Sequence, residues 1–299
     1  MIVLLGALSR LDAGERLFTV GTYNVENYVE EAAGGRPAKT AESKAKVRES
    51  IRALRADVLA LQEVGGPSVL LELRAALSAE GQDYPYWEHV SGWDTNIQVA
   101  VLSRFPIVAR RPHTNESYLL RGRRFHVSRG FAEVDVQVDP AYTFTLLTAH
   151  LKSRRPSPLA DEAEMREQEA ALLRKFIDRR LSSNPRLNLV VLGDFNDVKD
   201  APSTKTIVGS RAHALIDTRP AEMNGDSLPS QIPNFAPRNV TWTHYYGKED
   251  TYSRIDYILI SPGMAREWER SGTCVLALPN WGLASDHRPI IASFAATDR

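Results

Sequence analysis

The pattern that most constrains this chain is an apolar run that stops abruptly in a cluster of polar side chains. Its sharpest instance is LNLVVLGDFNDV, residues 187–198. Leu189, Val190, Val191 and Leu192 are uninterrupted by any polar residue. Such a strand fits a sheet covered on both faces. Gly193-Asp194-Phe195-Asn196-Asp197 then supplies two carboxylates and an amide, and buried charge is costly unless partners compensate it. Two readings stay open from these residues alone: a polar turn facing water, or a rigid strand holding reactive groups at the floor of a cleft. In an extended chain residues i and i+2 share a face. Asp194 and Asn196 would then project together while Phe195 turns into the core, and Gly193 would permit close backbone approach. An Asx-type turn is the structural alternative. Asp197 falls off that face and reads as a local cap.

Comparable strand-like runs are Leu17–Tyr23, Val58–Gln62, Ile97–Ser103, Phe131–Val138, Tyr142–Ala149, Ile255–Ile260 and Pro289–Phe294. In Phe131–Val138 the residues Ala132, Val134, Val136 and Val138 alternate with Glu133, Asp135 and Gln137, a period of two that predicts one wet face. Asp139-Pro140 predicts a hairpin into Tyr142–Ala149. Val47, Ile51 and Leu54 recur at helical spacing within 41–56, and Pro67 suits the first turn of a helix before Val69–Ser78. Residues 159–181 read as a long surface helix, and 218–240, with four prolines, as a long loop. Helices among hairpins and longer crossovers predict an α/β or α+β sandwich.

Formal charge is zero, so the whole-molecule field points to no partner. Locally, Arg104, Arg110, Arg111, Arg121, Arg123, Arg124 and Arg129 face only Glu116 within residues 101–130, followed by Lys152, Arg154 and Arg155. A solvated face and a phosphate-binding rim are both open readings. The one cysteine, Cys274, sits in an apolar run and reads as a core thiol. No stretch approaches the roughly 20 apolar residues of a membrane span. Residues 1–16 are expected to be an N-terminal arm or the remnant of a signal peptide.

Five clusters repeat the same arrangement: Thr22-Tyr23-Asn24-Val25-Glu26, Leu61-Gln62-Glu63-Val64, Thr148-Ala149-His150-Leu151-Lys152, Gly193 to Asp197, and Arg254-Ile255-Asp256-Tyr257 with Ser285-Asp286-His287-Arg288-Pro289. Taken in order, they strongly resemble the endonuclease/exonuclease/phosphatase superfamily. The resemblance runs from Asn24 to His287. It implies an α/β fold: a four-layer α/β/β/α sandwich of two mixed, largely antiparallel sheets with helices on the outer faces. It also implies that residues 17–299 form one catalytic domain, since groups from both ends must share a cleft.

The same resemblance implies roles. Glu63 would be the principal ligand of Mg2+ or Mn2+, with Glu26 and Asp286 as further metal candidates and Ca2+ as a possible additional ion. Asp194 would orient or deprotonate the attacking water, while Asn24, Asn196 and His150 contact the phosphate. Asp256 would orient His287, fixing its tautomer and favouring its charged form. Arg129, Lys152 and Tyr118 are candidate phosphate contacts. His89, His113, His126, His213 and His244 receive no role. Ser285-Asp286-His287 is not a hydrolase triad, because consecutive side chains diverge and no G-x-S-x-G elbow is present.

Asn196 is followed by Asp197-Val198, and Arg254 is preceded by Ser253. Both depart from the inositol-phosphatase and abasic-site patterns. The wording TYNVEN and HLKS resembles a bacterial group with many exported members. The expected function is a metal-dependent phosphodiesterase acting on nucleic acid, a DNA endonuclease before others. A small-molecule or lipid phosphoesterase is the alternative, and a non-catalytic binding module with the same fold is a third class. A monomer, in the periplasm or outside the cell rather than the cytoplasm, is expected.

Overall fold

Strands with two apolar faces need two separate layers to bury them, and the chain supplies both. The computed structural model describes residues 16–32, 35–223 and 241–298. The expectation for residues 1–16 therefore falls, apart from Arg16, outside the described residues, as does most of the loop 218–240. One sheet has seven strands in the order Ala221–Glu222, Trp268–Val275, Ile290–Ala295, Leu17–Tyr28, Val58–Val64, Gln98–Ser103 and Tyr86–Val90. The other has six, in the order Ile216–Asp217, Asp256–Ile260, Leu189–Asp194, Tyr142–His150, Phe131–Asp139 and Ile107–His113. Both are mixed. Leu17–Tyr28 pairs parallel with Val58–Val64, and Leu189–Asp194 pairs parallel with Tyr142–His150, among mostly antiparallel neighbours.

The alternation of side chains divides each strand between two cores. Val58, Ala60, Phe144, Leu146, Val190, Leu192, Ile258 and Ile260 meet in the layer between the sheets. Their neighbours Leu147, Val191, Tyr257 and Leu259 face outward, onto Leu173 and Ile177 of helix α3 (Glu162–Ser183) and Ile207 of α4 (Pro202–Val208). On the opposite side Leu59 and Leu61 face Val47 and Ile51 of α1 (Ala41–Leu54) and Leu70 and Leu73 of α2 (Pro67–Ala79). The result is the expected sandwich of two mixed sheets with helices outside. Truncating a central residue such as Leu192 to alanine would cost about 2–5 kcal/mol.

The helix ends follow local chemistry. Thr40 Oγ1 accepts from the Ser43 amide at 3.1 Å, Pro67 occupies the first turn of α2, and Asp161 Oδ1 accepts from the amides of Ala163 and Glu164. The strand predicted to end at Tyr23 continues to Tyr28, because a bulge between Asn24 and Tyr28 lets pairing with Val58–Val64 resume. The wet face expected for Phe131–Val138 is also revised. Ala132, Val134, Val136 and Val138 do face the central core, but on the other side Phe131 packs under α3 and Glu133 is only 3% exposed. Cys274 is partly buried beside the outer core of the first sheet, and burial pushes its thiol pKa up.

Glu133 is tolerated there because cations converge on it. It accepts from Arg111 Nε at 2.6 Å and Arg180 Nε at 2.5 Å, and lies 3.0 Å from His113 Nε2. Burial opposes its charge, but the bonds from His113 and Arg111 prevail and hold its carboxyl at about 2, down from 4.5. The stabilisation is therefore complete above the unfolded-state value and is lost as pH falls through the folded one. Glu133→Gln should be destabilised by on the order of 3 kcal/mol at neutral pH. In urea unfolding, this deficit should shrink as pH falls from 4.5 towards 2; a deficit unchanged over that range would contradict the assignment.

Candidate functional site

The polar clusters are the ends of the inner rows of core residues. Asn24 continues the row of Phe18 and Val20, His150 that of Phe144 and Leu146, Asp194 that of Val190 and Leu192, and Asp256 that of Ile258 and Ile260. Between the dry core and these groups lies a hydrogen-bonded floor. Thr22 Oγ1 donates to Gln62 Oε1 at 3.1 Å, and Gln62 Nε2 crosses to the other sheet to reach Thr148 Oγ1 at 3.3 Å. Register then makes Asp194 the direct neighbour of His150 on one side and Asp256 on the other. Gly193 allows that pairing. Its φ is +131°, and a Cβ there would lie 2.0 Å from the Ala149 carbonyl oxygen.

Groups distant in sequence meet at Asp194, which is 1% exposed. Its Oδ2 accepts from Asn24 Nδ2 at 3.0 Å and lies 3.4 Å from His150 Nε2 and 3.7 Å from His287 Nε2. His287 Nδ1 lies 2.8 Å from Asp256 Oδ2. Ser285 Oγ donates to the Asn24 carbonyl and accepts from the His287 amide, tying the last polar segment to the first. Glu63 enters from the other sheet: Oε1 accepts from Asn24 Nδ2 at 3.3 Å and Oε2 from the Asn27 amide at 2.9 Å.

Burial and neighbouring charges divide these groups. Burial raises Asp194 to about 6, opposed by His287 and assisted by Asp256. Burial also opposes charge on His287, but Asp256 and Asp194 overcome it and hold the ring well above the ordinary histidine range. His150 is held well below that range, by burial first and then by Arg129. The site thus pairs a charged imidazole with a neutral one.

Three acids form the outer part of the site. Glu26 is raised by burial, then by Asp286, with Glu63 adding to the effect. The nearest cation is Lys39, whose Nζ lies 3.6 Å from Glu26 Oε2. An oxygen-rich, under-neutralised group of this kind suits a hard divalent ion, which needs only one or two carboxylates and keeps its waters. Glu26, Glu63 and Asp286 do not close into one tight ligand set. Glu26 Oε2 instead accepts from the Asp286 amide at 3.2 Å, and the Asp286 carboxylate lies between His287 and His244. Among the described residues, two groups bring three ligand atoms within 4.8 Å of one another: Asp194–Asp256–His287 and His244–Asp286–His287. Glu26, Glu63 and Asn196 all have φ between +44° and +64°, strained values for residues with side chains.

The sequence profile of the Endonuclease/Exonuclease/phosphatase family matches residues 21–287. The chain belongs to this family. Its members are hydrolytic phosphoesterases that generally use a divalent metal. No curated protein matches in sequence. Among solved structures, the catalytic domain of human Nocturnin with bound sulfate is similar at 18% identity and a TM-score of 0.65, over 94% of this chain and 95% of that one. Sphingomyelinase C from Streptomyces griseocarneus is similar at 18% identity and a TM-score of 0.61, over 93% and 99%. A Neisseria 3' phosphatase bound to a product DNA hairpin is similar at 19% identity and a TM-score of 0.59, over 93% and 99%. At these identities the likeness is one of fold.

In this family member Asn196 departs from the extended geometry expected of it. At φ +55° it turns back, its amide donates to Asp194 Oδ1 at 2.8 Å, and its Nδ2 reaches the Leu151 carbonyl at 3.0 Å. That is the Asx-type turn, formed around Asp194 within the site. Phe195 does anchor, fully buried and stacked 5.2 Å from Tyr257. Asp197 is more than a local cap: it accepts from Arg154, Arg166 and Ser203, bracing the loop after His150 against α3.

The outer candidates fare differently. Arg129 is buried, with Nη1 on the Leu151 carbonyl at 3.1 Å and Nε making no hydrogen bond among the described residues. Lys152 turns its amine onto the Ser153 and Arg155 carbonyls. Tyr118 stacks on Phe125, and its hydroxyl is buried with no hydrogen-bond partner among the described residues. The arginine run is not a bare rim either. Arg104, Arg110, Arg111 and Arg121 pair with Asp57, Glu88, Glu133 and Glu164. Two residues lacked any local signal. Glu169, fully buried on α3, accepts from the amides of Ser128 and Lys152 and so holds the segments bearing Arg129 and His150. His244 lies beside His287, with ring centroids 4.6 Å apart.

Two measurements check this geometry. Asp256→Asn removes the carboxylate that favours the charged ring. In metal-free protein the His287 titration midpoint, followed by NMR, should fall by about one to three pH units; an unmoved midpoint would exclude the pairing. Gly193→Ala should destabilise the protein by about 3 kcal/mol or more, because neither the positive φ nor the Ala149 contact accommodates a Cβ. Urea unfolding near the parent midpoint would contradict that.

Proposed function

We propose that the protein is a divalent-metal-dependent phosphodiesterase acting on nucleic acid, a DNA endonuclease in the first instance. The observation carrying this reading is the convergence of Asn24, His150 and His287 on the buried Asp194, with Glu63 alongside. A phosphodiester in attack needs an oriented water, donors for its non-bridging oxygens and compensation of developing negative charge.

Asp194 holds and orients the water, and its raised pKa leaves it able to accept a proton near neutrality. His287, charged and steered by Asp256, donates to the phosphate. Asn24 offers its amide, and His150 the nitrogen that faces Asp194. Asn196 spends one amide N–H on Leu151 and has a second for a phosphate oxygen. Glu63 would hold Mg2+ or Mn2+, with Glu26 and Asp286 adding oxygens directly or through water. When bound, the ion supplies charge neutralisation and polarises the phosphate.

A macromolecular anion is favoured by the surroundings. The exposed Arg123 and Arg124 lie on the hairpin Ser117–His126, which leads into Arg129, and the exposed Arg155 follows His150. Phosphate contacts of this kind dominate nucleic-acid affinity and make it salt-dependent.

A supercoiled-plasmid nicking assay tests the reading. Cleavage should require added Mg2+ or Mn2+, stop with chelator and fall steeply with salt. His287→Ala should lower the rate by about 10²–10⁴-fold. Turnover of a small phosphodiester or of sphingomyelin vesicles without nicking would overturn the nucleic-acid assignment in favour of a small-molecule or lipid phosphoesterase.

A further inference from the structure

We infer that His244, Asp286 and His287 form a binding site for a borderline divalent ion, zinc above all, set apart by its two imidazole donors from the oxygen site around Glu63, with which it shares only Asp286, and that zinc there inhibits the enzyme. The inhibitory half rests on the function proposed above; the binding half does not.

Backbone pairing puts the two rings together. The Tyr245 amide donates to the Asp286 carbonyl at 2.9 Å and the Arg288 amide to the Thr243 carbonyl at 2.7 Å. These bonds flank an isolated antiparallel bridge between His244 and His287. The bridge is therefore a non-hydrogen-bonded pair, the closer of the two antiparallel arrangements. The Asp286 carboxylate reaches both rings: Oδ2 lies 3.7 Å from His244 Nε2 and Oδ1 lies 3.8 Å from His287 Nε2.

All three donor atoms fall within 4.8 Å of one another. A tetrahedral zinc with bonds of about 2.0–2.1 Å needs donors roughly 3.4 Å apart, so a small closing movement completes three corners and leaves the fourth to water. The nitrogen donors set the preference: imidazole suits zinc and its neighbours, while magnesium favours oxygen. Zinc binding displaces the Nε2 proton of the charged His287 ring to solvent, and the ring is already oriented for it. Its Nδ1 faces Asp256 Oδ2 at 2.8 Å, the carboxylate–histidine arrangement that fixes the other nitrogen for a metal. That other nitrogen lies 3.4 Å from Asn24 Nδ2 and 3.7 Å from Asp194 Oδ2, inside the catalytic group. Zinc bound to it removes His287 from the phosphate.

The test is a titration of tag-free protein with Zn2+ alone by calorimetry, and with Co2+ by visible absorption. The parent should bind one zinc. His244→Ala should bind it about tenfold or more weakly, since losing even an outer partner of a ligand costs that much, and His244→Gln, which keeps a polar side chain, should weaken it likewise. Glu63→Gln should retain zinc binding. In magnesium-supported hydrolysis His244→Ala should match the parent without zinc but resist inhibition by it. Equal zinc affinity in the parent and both His244 variants would overturn the site, as would loss of binding in Glu63→Gln. Absence of hydrolysis in the parent would reject the proposed function and leave the calorimetric result to decide the site.

Discussion

A buried carboxylate with its partners drawn from across the chain is the constraint on which this structure turns. Asp194 is almost without solvent, and an uncompensated charge there would cost several kcal/mol. Its compensation comes from Asn24, His150, His287 and the Asn196 amide. The side-chain partners are carried by three other segments, belonging to both sheets and to the turn before the last strand. Those segments must close together or leave the charge stranded. Closure in turn requires the Gly193 backbone to approach Ala149 more closely than any side chain would allow.

The same strands explain why reactive groups sit at one end of a dry sandwich. The inner rows of the strands bearing Thr22, Gln62 and Thr148 pass through these hydroxyls and this amide before the functional end, while the rows ending in Asp194 and Asp256 run directly from Leu192 and Ile258 to the carboxylate. In the former rows the hydrogen-bonded layer separates charge from the apolar core, so neither disrupts the other. Beyond it, Glu26, Glu63 and Asn196 hold backbone conformations that cost roughly 1–3 kcal/mol each. The regular sheets beneath can support that strain, and it directs these side chains away from the positions a plain strand would give them.

Charge is divided just as locally. The pairing of Arg104, Arg110 and Arg111 with nearby acids makes much of the basic run structural, and Glu133 shows how deeply such a group can be buried once cations converge on it. Around the site the division is finer. Glu63 and Glu26 offer oxygen on one side, while two imidazoles flank Asp286 on the other. Adjacent positions therefore differ in the ions they suit.

What the sequence determined by itself is what is written locally. Apolar runs with two dry faces, the hairpin at Asp139-Pro140, the spacing of α1 and the proline opening α2 follow from alternation, period and turn chemistry, and they were legible without coordinates. Asn24, Glu63, His150, Asp194, Asp256 and His287 were also legible as a candidate group, through the family resemblance that the polar clusters at the strand ends carry together. Tertiary structure alone decided the rest. It put Asn196 in a left-handed turn, spent the arginines on acids up to 47 residues away, buried Tyr118, and brought His244 beside His287. The turn at Asn196 was one of two readings open locally, and the others do not follow from neighbours in sequence, since partner choice is set only when strand register closes and desolvation forces each charge to find the nearest compensating group.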